Sequence, residues 1–424
     1  MSKAAAPRGQ LGVVLALGVT QTLAWASSTY LPAILAAPIA RDLGISRATV
    51  FGAFSVSLLV MAAAGPLVGR AIDRAGGRHM LMWSNLVLAT GLALLGAANH
   101  VALLFAAWCI LGVGMAMGLY DAAFAALVRI YGTDARKPIT GITLIAGFAS
   151  TVGWPLSAFM DAEIGWRAAC FVWAGLHLFI ALPVNWRLIP AVAHRHAPLK
   201  PGHDAAATPG QSAASDQSTD PGHAMAGKRR GRIFFWLAVY FATTAFVTSA
   251  YAAHLPGLLG SMGAGAAGAL LAAALLGPAQ VAARLVEFGV ISRYRVHALV
   301  TARVATALHP LGVGLLLLLG GAPVWAAVFA LLHGAGNGMI TIAKGTLPLA
   351  LFGAAGYGLT QGWLGVGARA MQAGAPFVFG VVLEQLGGPA ALLLSCAVAL
   401  ASLAALFMLR APPRGRAPDD DTMR

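Results

Sequence analysis

Leu31-Pro32-Ala33-Ile34-Leu35 returns 224 residues later as Leu255-Pro256-Gly257-Leu258-Leu259, and that echo decides how the whole chain is read. Further landmarks repeat at offsets of 220 to 222: Gly69 as Gly289, Gly112 and Gly114 as Gly334 and Gly336, Pro155 as Pro376, Gly165 as Gly387. They belong to long apolar stretches, six before a polar break and six after it. An internal repeat is sought before local detail, because overlooking one misassigns the fold. Two parallel repeats of six spans, related by an axis along the membrane normal, are the ground plan of a rocker-type carrier that holds its substrate between the halves.

Composition agrees. Of 424 residues, 59% are hydrophobic and only 10% charged, with a mean hydropathy of +0.77, far from a soluble domain. A run of about 20 apolar residues crosses a bilayer as a helix, the form that satisfies the backbone where lipid cannot. Spans are expected near 11–37, 47–69, 80–98, 101–128, 139–160, 167–189, 232–254, 263–290, 297–320, 323–345, 356–383 and 389–410. Alternating strands are not in evidence, which argues against an outer-membrane barrel. The first stretch is too long for a signal-peptide core and is read as an uncleaved helix. The expected fold is an all-α membrane protein, with twelve transmembrane helices in two pseudo-symmetric six-helix bundles. Residues 1–189 form the N-terminal bundle, 190–231 a flexible cytoplasmic linker, 232–410 the C-terminal bundle and 411–424 a cytoplasmic tail.

Orientation follows from Lys and Arg. With the N-terminus inside, 21 of the 28 fall in cytoplasmic pieces and 3 (Arg41, Arg47, Arg167) in outer loops; the other 4 lie within spans. Both termini and the linker are therefore expected in the cytoplasm of a bacterial inner-membrane protein. The net charge of +14 reads as a topology signal and a match to anionic lipid, with no nucleic-acid partner implied. Cys109, Cys170 and Cys396 lie in apolar spans and suggest neither a disulfide framework nor a metal site. His194, His196, His203 and His223 are irregularly spaced in a segment poor in apolar residues, where a solvated tether is the natural reading. No cofactor or metal is expected, and a monomer is.

Between the second and third spans stands Gly69-Arg70-Ala71-Ile72-Asp73-Arg74-Ala75-Gly76-Gly77-Arg78. Glycines there permit a tight turn and close helix approach, and the acid can meet a helix terminus. The stretch closely resembles the G-x-x-x-D-R-x-G-x-R signature of the major facilitator superfamily, in the loop where that family carries it. The resemblance implies the major facilitator fold, and a cytoplasmic gate formed by Gly69, Asp73, Arg74 and Arg78. The second copy, Gly289-Val290-Ile291-Ser292-Arg293-Tyr294-Arg295, lacks the acid.

Charges inside spans are where substrate chemistry is sought, since each is costly in lipid unless it faces a cavity or partner. Gln361, Gly365, Arg369 and Gln372 share one helical face by their spacing. So do Gly277, Gln280, Arg284 and Glu287. His333, Asn337 and Lys344 repeat the pattern. Three helices of the second half thus each carry a polar stripe bearing a cation, which suits a cavity for an anion; a guanidinium binds carboxylate bidentately. Lys344 has the alternative of reaching the interface by its stem. Arg303 reads as an interfacial anchor, His309 before Pro310 as a hydrogen-bonded core histidine in a kinked helix, and His177 as structural. Gln21, Trp25 and Ser28 form one face of the first span and join the expected path. Tyr30 and His254 precede the two Leu-Pro pairs, so they are expected to meet at the outer mouth.

Gly112-Val113-Gly114, Arg129-Ile130-Tyr131, Arg136-Lys137-Pro138 and Ala146-Gly147 resemble the G-x-G…R-Y-F…R-R-P…A-G pattern of the monocarboxylate transporter branch. Gln280-Val281-Ala282-Ala283-Arg284 is similar to its D-x-x-A-R. The resemblance implies that Arg284 binds carboxylate. Arg369 occupies the span in which the related oxalate–formate exchangers carry a cation. Gln280 replaces that branch's aspartate, so its usual proton-handling acid is missing. Asp121, on a face with Gly114 and Gly118, is the substitute proton site; Glu287 competes, and a structural ion pair is the bland alternative. The reading is a secondary transporter that moves a small organic anion, a carboxylate, by alternating access, with such a substitute as the site for any proton coupling. An exporter of a drug-like or siderophore-like compound by proton antiport, and a non-transporting membrane sensor, stay open.

Overall fold

The computed structural model describes residues 9–191, 221–291, 293–294, 296–320 and 322–410. The tail 411–424, most of the linker and the linker histidines His194, His196 and His203 lie outside the described residues, as does Arg295. The first half contains α1 (Gln10–Ser27), α2 (Leu31–Asp42), α3 (Arg47–Ala75), α4 (Gly77–Gly96), α5 (Val101–Gly118), α6 (Tyr120–Tyr131), α7 (Arg136–Ala146), α8 (Ala149–Leu176) and α9 (Leu182–Leu188). The second contains α10 (Pro221–Leu259), α11 (Gly265–Ala274), α12 (Leu276–Val286), α13 (Ala298–Leu319), α14 (Pro323–Phe352) and α15 (Tyr357–Met408). No strand occurs among the described residues.

Nine helical runs among them are long and apolar enough to cross a membrane. Val101–Leu188 runs for 88 residues. At 1.5 Å per residue that far exceeds a hydrocarbon core of about 30 Å, so it must turn back on itself. Its breaks are the extended Leu119, a 3₁₀ turn at Gly132–Ala135 and Gly165. Gly165 and its echo Gly387, inside α15, have φ of 79° and 84°, a left-handed region that glycine enters freely. The repeat is therefore visible as two turns of the same kind. It shows again in packing: Gly112 lies against the backbone of α3 at Ser57 and Gly114 against Leu88 of α4. Their echoes Gly334 and Gly336 lie against Leu276 of α12 and Ala305 of α13.

The expected first span, 11–37, lies within one apolar run, Gln10–Asp42, whose helix is interrupted between Ser27 and Leu31. α1 stops at Ser27, and α2 restarts at Leu31 with Pro32 in its first turn, where a missing N–H costs nothing. The expected span 263–290 holds the single run Ala267–Gly289, in which α11 and α12 meet at Leu275. Elsewhere ends are fixed by caps: Ser46 Oγ accepts from the Thr49 N–H to start α3, and Gly76, at φ 84°, stops it.

One apolar core is drawn from residues 13–189, joined by Leu349 and Tyr357; two others come from residues 237–409. Large side chains such as Leu67, Phe179, Leu318 and Phe377 stand outward and exposed. On a soluble protein such a surface would aggregate; against acyl chains it is the solvent-facing side.

Candidate functional site

Gly65, Gly69 and Asp73 recur every four residues, so they form one ridge of α3. That ridge meets the first turns of α15 in backbone contact, Gly65 against Gly362 and Gly69 against Gly358; a Cβ on Gly69, Gly358 or Gly362 would collide with the facing main chain, and one on Gly65 would press on the Gly362 carbonyl. One turn on, the Asp73 carboxylate accepts from the backbone N–H groups of Gly358 and Leu359, both at 2.8 Å. These are among the N–H groups that an α-helix leaves free at its start. Asp73 thus caps α15 from the other half of the molecule and meets the positive end of its dipole. Arg74 lies about 100° further round α3 and is exposed. Arg78 donates to the Trp186 carbonyl, within its own half. Among the described residues, Gly69 and Asp73 of the expected gate touch the other half, while Arg74 and Arg78 form no bond to it.

A second tie involves a residue that sequence reasoning had counted only as a loop charge and motif member. Arg136, which opens α7, donates through Nη2 to Glu287 Oε1 at 2.8 Å and through Nη1 to the Val296 carbonyl. Glu287, the competitor to Asp121, is buried and paired with Arg136, as Asp121 is with Arg369. Arg284, also buried, donates to the carbonyls of Thr143 (3.2 Å) and Gly338 (3.4 Å) and to Gln280 Oε1 (3.4 Å). No acid pairs with it among the described residues.

Deeper along the seam, Arg369 Nη2 donates to Asp121 Oδ2 at 3.0 Å, and Gln361 Nε2 to Asp121 Oδ1 at 3.1 Å. Gln372 Oε1 receives Arg369 Nη1 at 2.8 Å. The break at Leu119 places Asp121 in the first turn of α6, where the helix dipole favours an acid. Lys344 lies within electrostatic reach of both Arg369 and Asp121, its Nζ 6.0 Å from the Phe241 ring centre. With Glu287 committed to Arg136, two guanidiniums among the described residues, Arg284 and Arg369, are left with one carboxylate, Asp121. Arg369 Nε and Gln361 Oε1 are buried with no partner. The space beside the ion pair, lined by Met61, Gly65, Gly362 and Gly365 among others, is about 20 Å³, room for water only, so the seam is shut here.

The remaining expected residues are distributed on either side. Gln21 Nε2 donates to the Gly118 carbonyl at 2.5 Å, and its Oε1 is buried without a donor. Trp25 packs on Tyr120 (4.9 Å between ring centres) and on Tyr30 (6.0 Å), and Tyr30 meets Trp154 edge-on at 5.8 Å. The charge of Arg284 acts on Tyr30 and Tyr120. Tyr30 does not meet His254, contrary to expectation: His254 Nε2 bonds to the Pro376 carbonyl at 2.8 Å inside the second half. The aromatic wall holds Tyr30 to the first half. Asn337 accepts from Thr248 Oγ at 2.8 Å and lines a separate cavity, so it does not join Arg369. His177 bonds to Ser27 and Asn85, and Arg303 to the carbonyls of Leu406 and Leu409. Among the described residues no group of three or more His, Cys, Asp or Glu could hold a metal.

Every such tie lies toward one end. Helix packing between the halves joins α3, α6 and α7 to α12, α14 and α15; no comparable packing among the described residues joins α1, α2, α4, α5 or α8 to the second half. The halves are tied where Asp73 lies, and among the described residues no hydrogen bond or ion pair joins them from α1, α2, α4, α5 or α8.

Two pseudo-equivalent helical halves, apolar outside and charged along their seam, define a multi-pass membrane transporter. The sequence profile of the Major Facilitator Superfamily matches residues 17–308, and the chain belongs to that superfamily. Nearly the whole chain superposes on solved members. The human organic anion transporter MFSD10 (TETRAN) shares 16% identity at a TM-score of 0.64, covering 95% of this chain and 100% of that one. FucP in its outward conformation shares 13% at 0.69, covering 94% and 99%. A variant of the E. coli fucose:proton symporter FucP shares 15% at 0.68, covering 95% and 100%. No curated protein sequence matches the chain significantly.

Proposed function

We propose that this protein is a secondary carrier that moves a small organic anion, a carboxylate, across the cell membrane by alternating access. Its twelve crossings form two bundles, 1–189 and 232–410, with both termini in the cytoplasm and the protein working as a monomer. The observation that carries the reading is the charge balance at the seam: two guanidiniums, Arg284 and Arg369, against one carboxylate, with the Arg369 Nε buried and lacking an acceptor. A buried donor without a partner costs about 1–3 kcal/mol, and more when charged, so a ligand oxygen there is worth as much.

The excess of Lys and Arg in the loops assigns the closed end to the cytoplasm. The conformation is then outward-facing. An anion entering from outside meets the aromatic wall and Arg284, then competes with Asp121 for Arg369. Releasing Asp121 removes a tie between α6 and α15, and the neutralised site lets the halves rock. A proton on Asp121 opens the same ion pair, which supports proton coupling through this residue where Gln280 replaces the acid of the monocarboxylate branch. One structural neighbour is named for organic anions and another for fucose and protons; at such identity the likeness shows the fold, and the substrate class rests on the charges.

A thermal-shift screen of purified protein against organic acids tests the reading, because a ligand that binds only the folded state raises its stability. Stabilisation by carboxylates, lost in Arg369→Ala, is expected. Stabilisation by uncharged compounds alone overturns the assignment.

A further inference from the structure

Inside the second half, away from the seam, His309 on α13 and His333 on α14 face each other with their Nδ1 atoms 2.8 Å apart, each ring only 4% exposed. A bond between two ring nitrogens at that distance holds one proton. It is also too short to admit a metal, which would need about 2.0 Å to each nitrogen. Two neutral rings share two protons; one lies in the Nδ1···Nδ1 bond, so one of the two Nε2 atoms is bare. In the arrangement in which Ser395 Oγ donates to the Leu392 carbonyl at 2.8 Å, it accepts from the Tyr251 hydroxyl (2.7 Å) and from His309 Nε2 (3.3 Å). His309 then carries its proton on Nε2 and accepts at Nδ1, and His333 donates from Nδ1. The bare base in that arrangement is His333 Nε2, which bonds to no group among the described residues.

His333 and His309 line a cavity of about 20 Å³, enough for a water molecule, which needs roughly 10–15 Å³. Thr243, Thr244 and Thr306, also in its lining, each donate to a carbonyl of their own helix at 2.7 Å, which leaves each oxygen able to accept a further bond. Ser402 Oγ, at the same cavity, is buried and unpartnered. Such a lining accepts hydrogen bonds, and so stabilises a cationic ring or a proton-bearing water.

The titratable groups around the pair are few. From α10 comes Tyr251, ring centres 5.1 Å from His309 and 4.7 Å from His333. From α15 comes Cys396, within electrostatic reach of Tyr251. From α13 and α14 come the two rings themselves, with Phe329 stacked on His333 at 5.9 Å. Among the described residues no Asp, Glu, Lys or Arg acts on either ring.

We propose that the His309–His333 pair is a proton-binding site of the C-terminal half, loaded from this cavity and distinct from Asp121. A proton carried by the cavity water adds to the lone pair of His333 Nε2, leaving the water neutral; no other bond breaks. The Nδ1–H···Nδ1 bond survives and becomes charge-assisted, spreading the positive charge over both rings.

Nitrogen-15 solid-state NMR of the full-length protein, labelled at its histidine rings and held in phosphatidylethanolamine–phosphatidylglycerol vesicles, tests this. On acidification from about pH 8 to about pH 3, through and below the range where imidazoles ordinarily titrate, one bare ring nitrogen should become an N–H. The coupling between the two Nδ1 atoms should persist throughout. In His333→Gln that conversion should vanish, in His309→Gln it should need about tenfold more acid, and in Asp121→Asn it should be unchanged. A wild-type pair that stays neutral over the range overturns the proposal, whether or not either variant folds. Conversion that persists in His333→Gln, or disappears in Asp121→Asn, overturns it equally.

Discussion

Arg136 and Glu287 lie 2.8 Å apart across the seam, the guanidinium 25% exposed and the carboxylate 1%. That asymmetry decides which substitution hurts. Removing Arg136 strands a buried negative charge, at a cost of about 3 kcal/mol, roughly a hundredfold in an equilibrium. The closed end should open accordingly in Arg136→Ala, read as a longer distance between spin labels placed at the ends of α7 and α12. Glu287→Gln should open it less, since Arg136 keeps water and the Val296 carbonyl. The double exchange Arg136→Glu with Glu287→Arg should recover part of the closure; no recovery would show that geometry, rather than charge, makes the tie.

Asp73 acts as a cap supplied by the neighbouring bundle, so its removal should cost what a lost cap costs, about 1–2 kcal/mol. Asp73→Ala should shift the labelled protein toward the opposite conformation by about tenfold. Asp73→Asn should fall between, because the amide oxygen still accepts one bond but carries no charge. Arg74→Ala, at an exposed position without a bond across the seam, should leave the distance distribution as it is in the parent.

The glycines of the same ridge give a steric version of the experiment. A methyl at Gly69 or Gly362 meets the main chain of the opposite helix, not a side chain able to turn away. Overpacking of this kind costs about 1–3 kcal/mol, and it is charged to the closed state alone. Gly69→Ala and Gly362→Ala should therefore keep their expression yield and melting temperature while cysteines placed along the seam gain reactivity. A fall in melting temperature with no gain in reactivity would mean that these contacts hold the fold, not the gate.

How much of this was legible in the residues follows from the physics of each signal. The repeat announced itself because turns and close approaches need glycine at fixed places, as Gly165 and Gly387 show. Arg369, Gln361 and Gln372 were found together because helical spacing puts them on one face, and a lipid setting makes any buried charge conspicuous. Asp121 was singled out for the same reason, yet its partner was not, since pairing across bundles depends on how two rigid bodies dock. The same limit hid Arg136 from Glu287 and sent Tyr30 and His254 to separate surroundings. His309 and His333 were noticed apart; nothing in a 24-residue separation across a turn fixes which ring nitrogens will meet.

Arg369 and Asp121 bring the last expectation, and their two variants separate binding from coupling. Charge-assisted hydrogen bonds are worth about 1.5–3 kcal/mol each. Arg369→Ala should therefore weaken carboxylate binding by tenfold to a hundredfold or more, with normal expression. Arg369→Lys should not restore it, because an ammonium lacks the planar fork. Asp121→Asn removes the competitor for Arg369, so binding in detergent should tighten or hold, while uptake into proteoliposomes should lose its dependence on pH. Unchanged uptake kinetics in Arg369→Ala would remove this residue from the site. A parental pH profile in Asp121→Asn would instead leave Arg369 in place, take the coupling proton away from the seam, and direct attention to the imidazole pair of the second half.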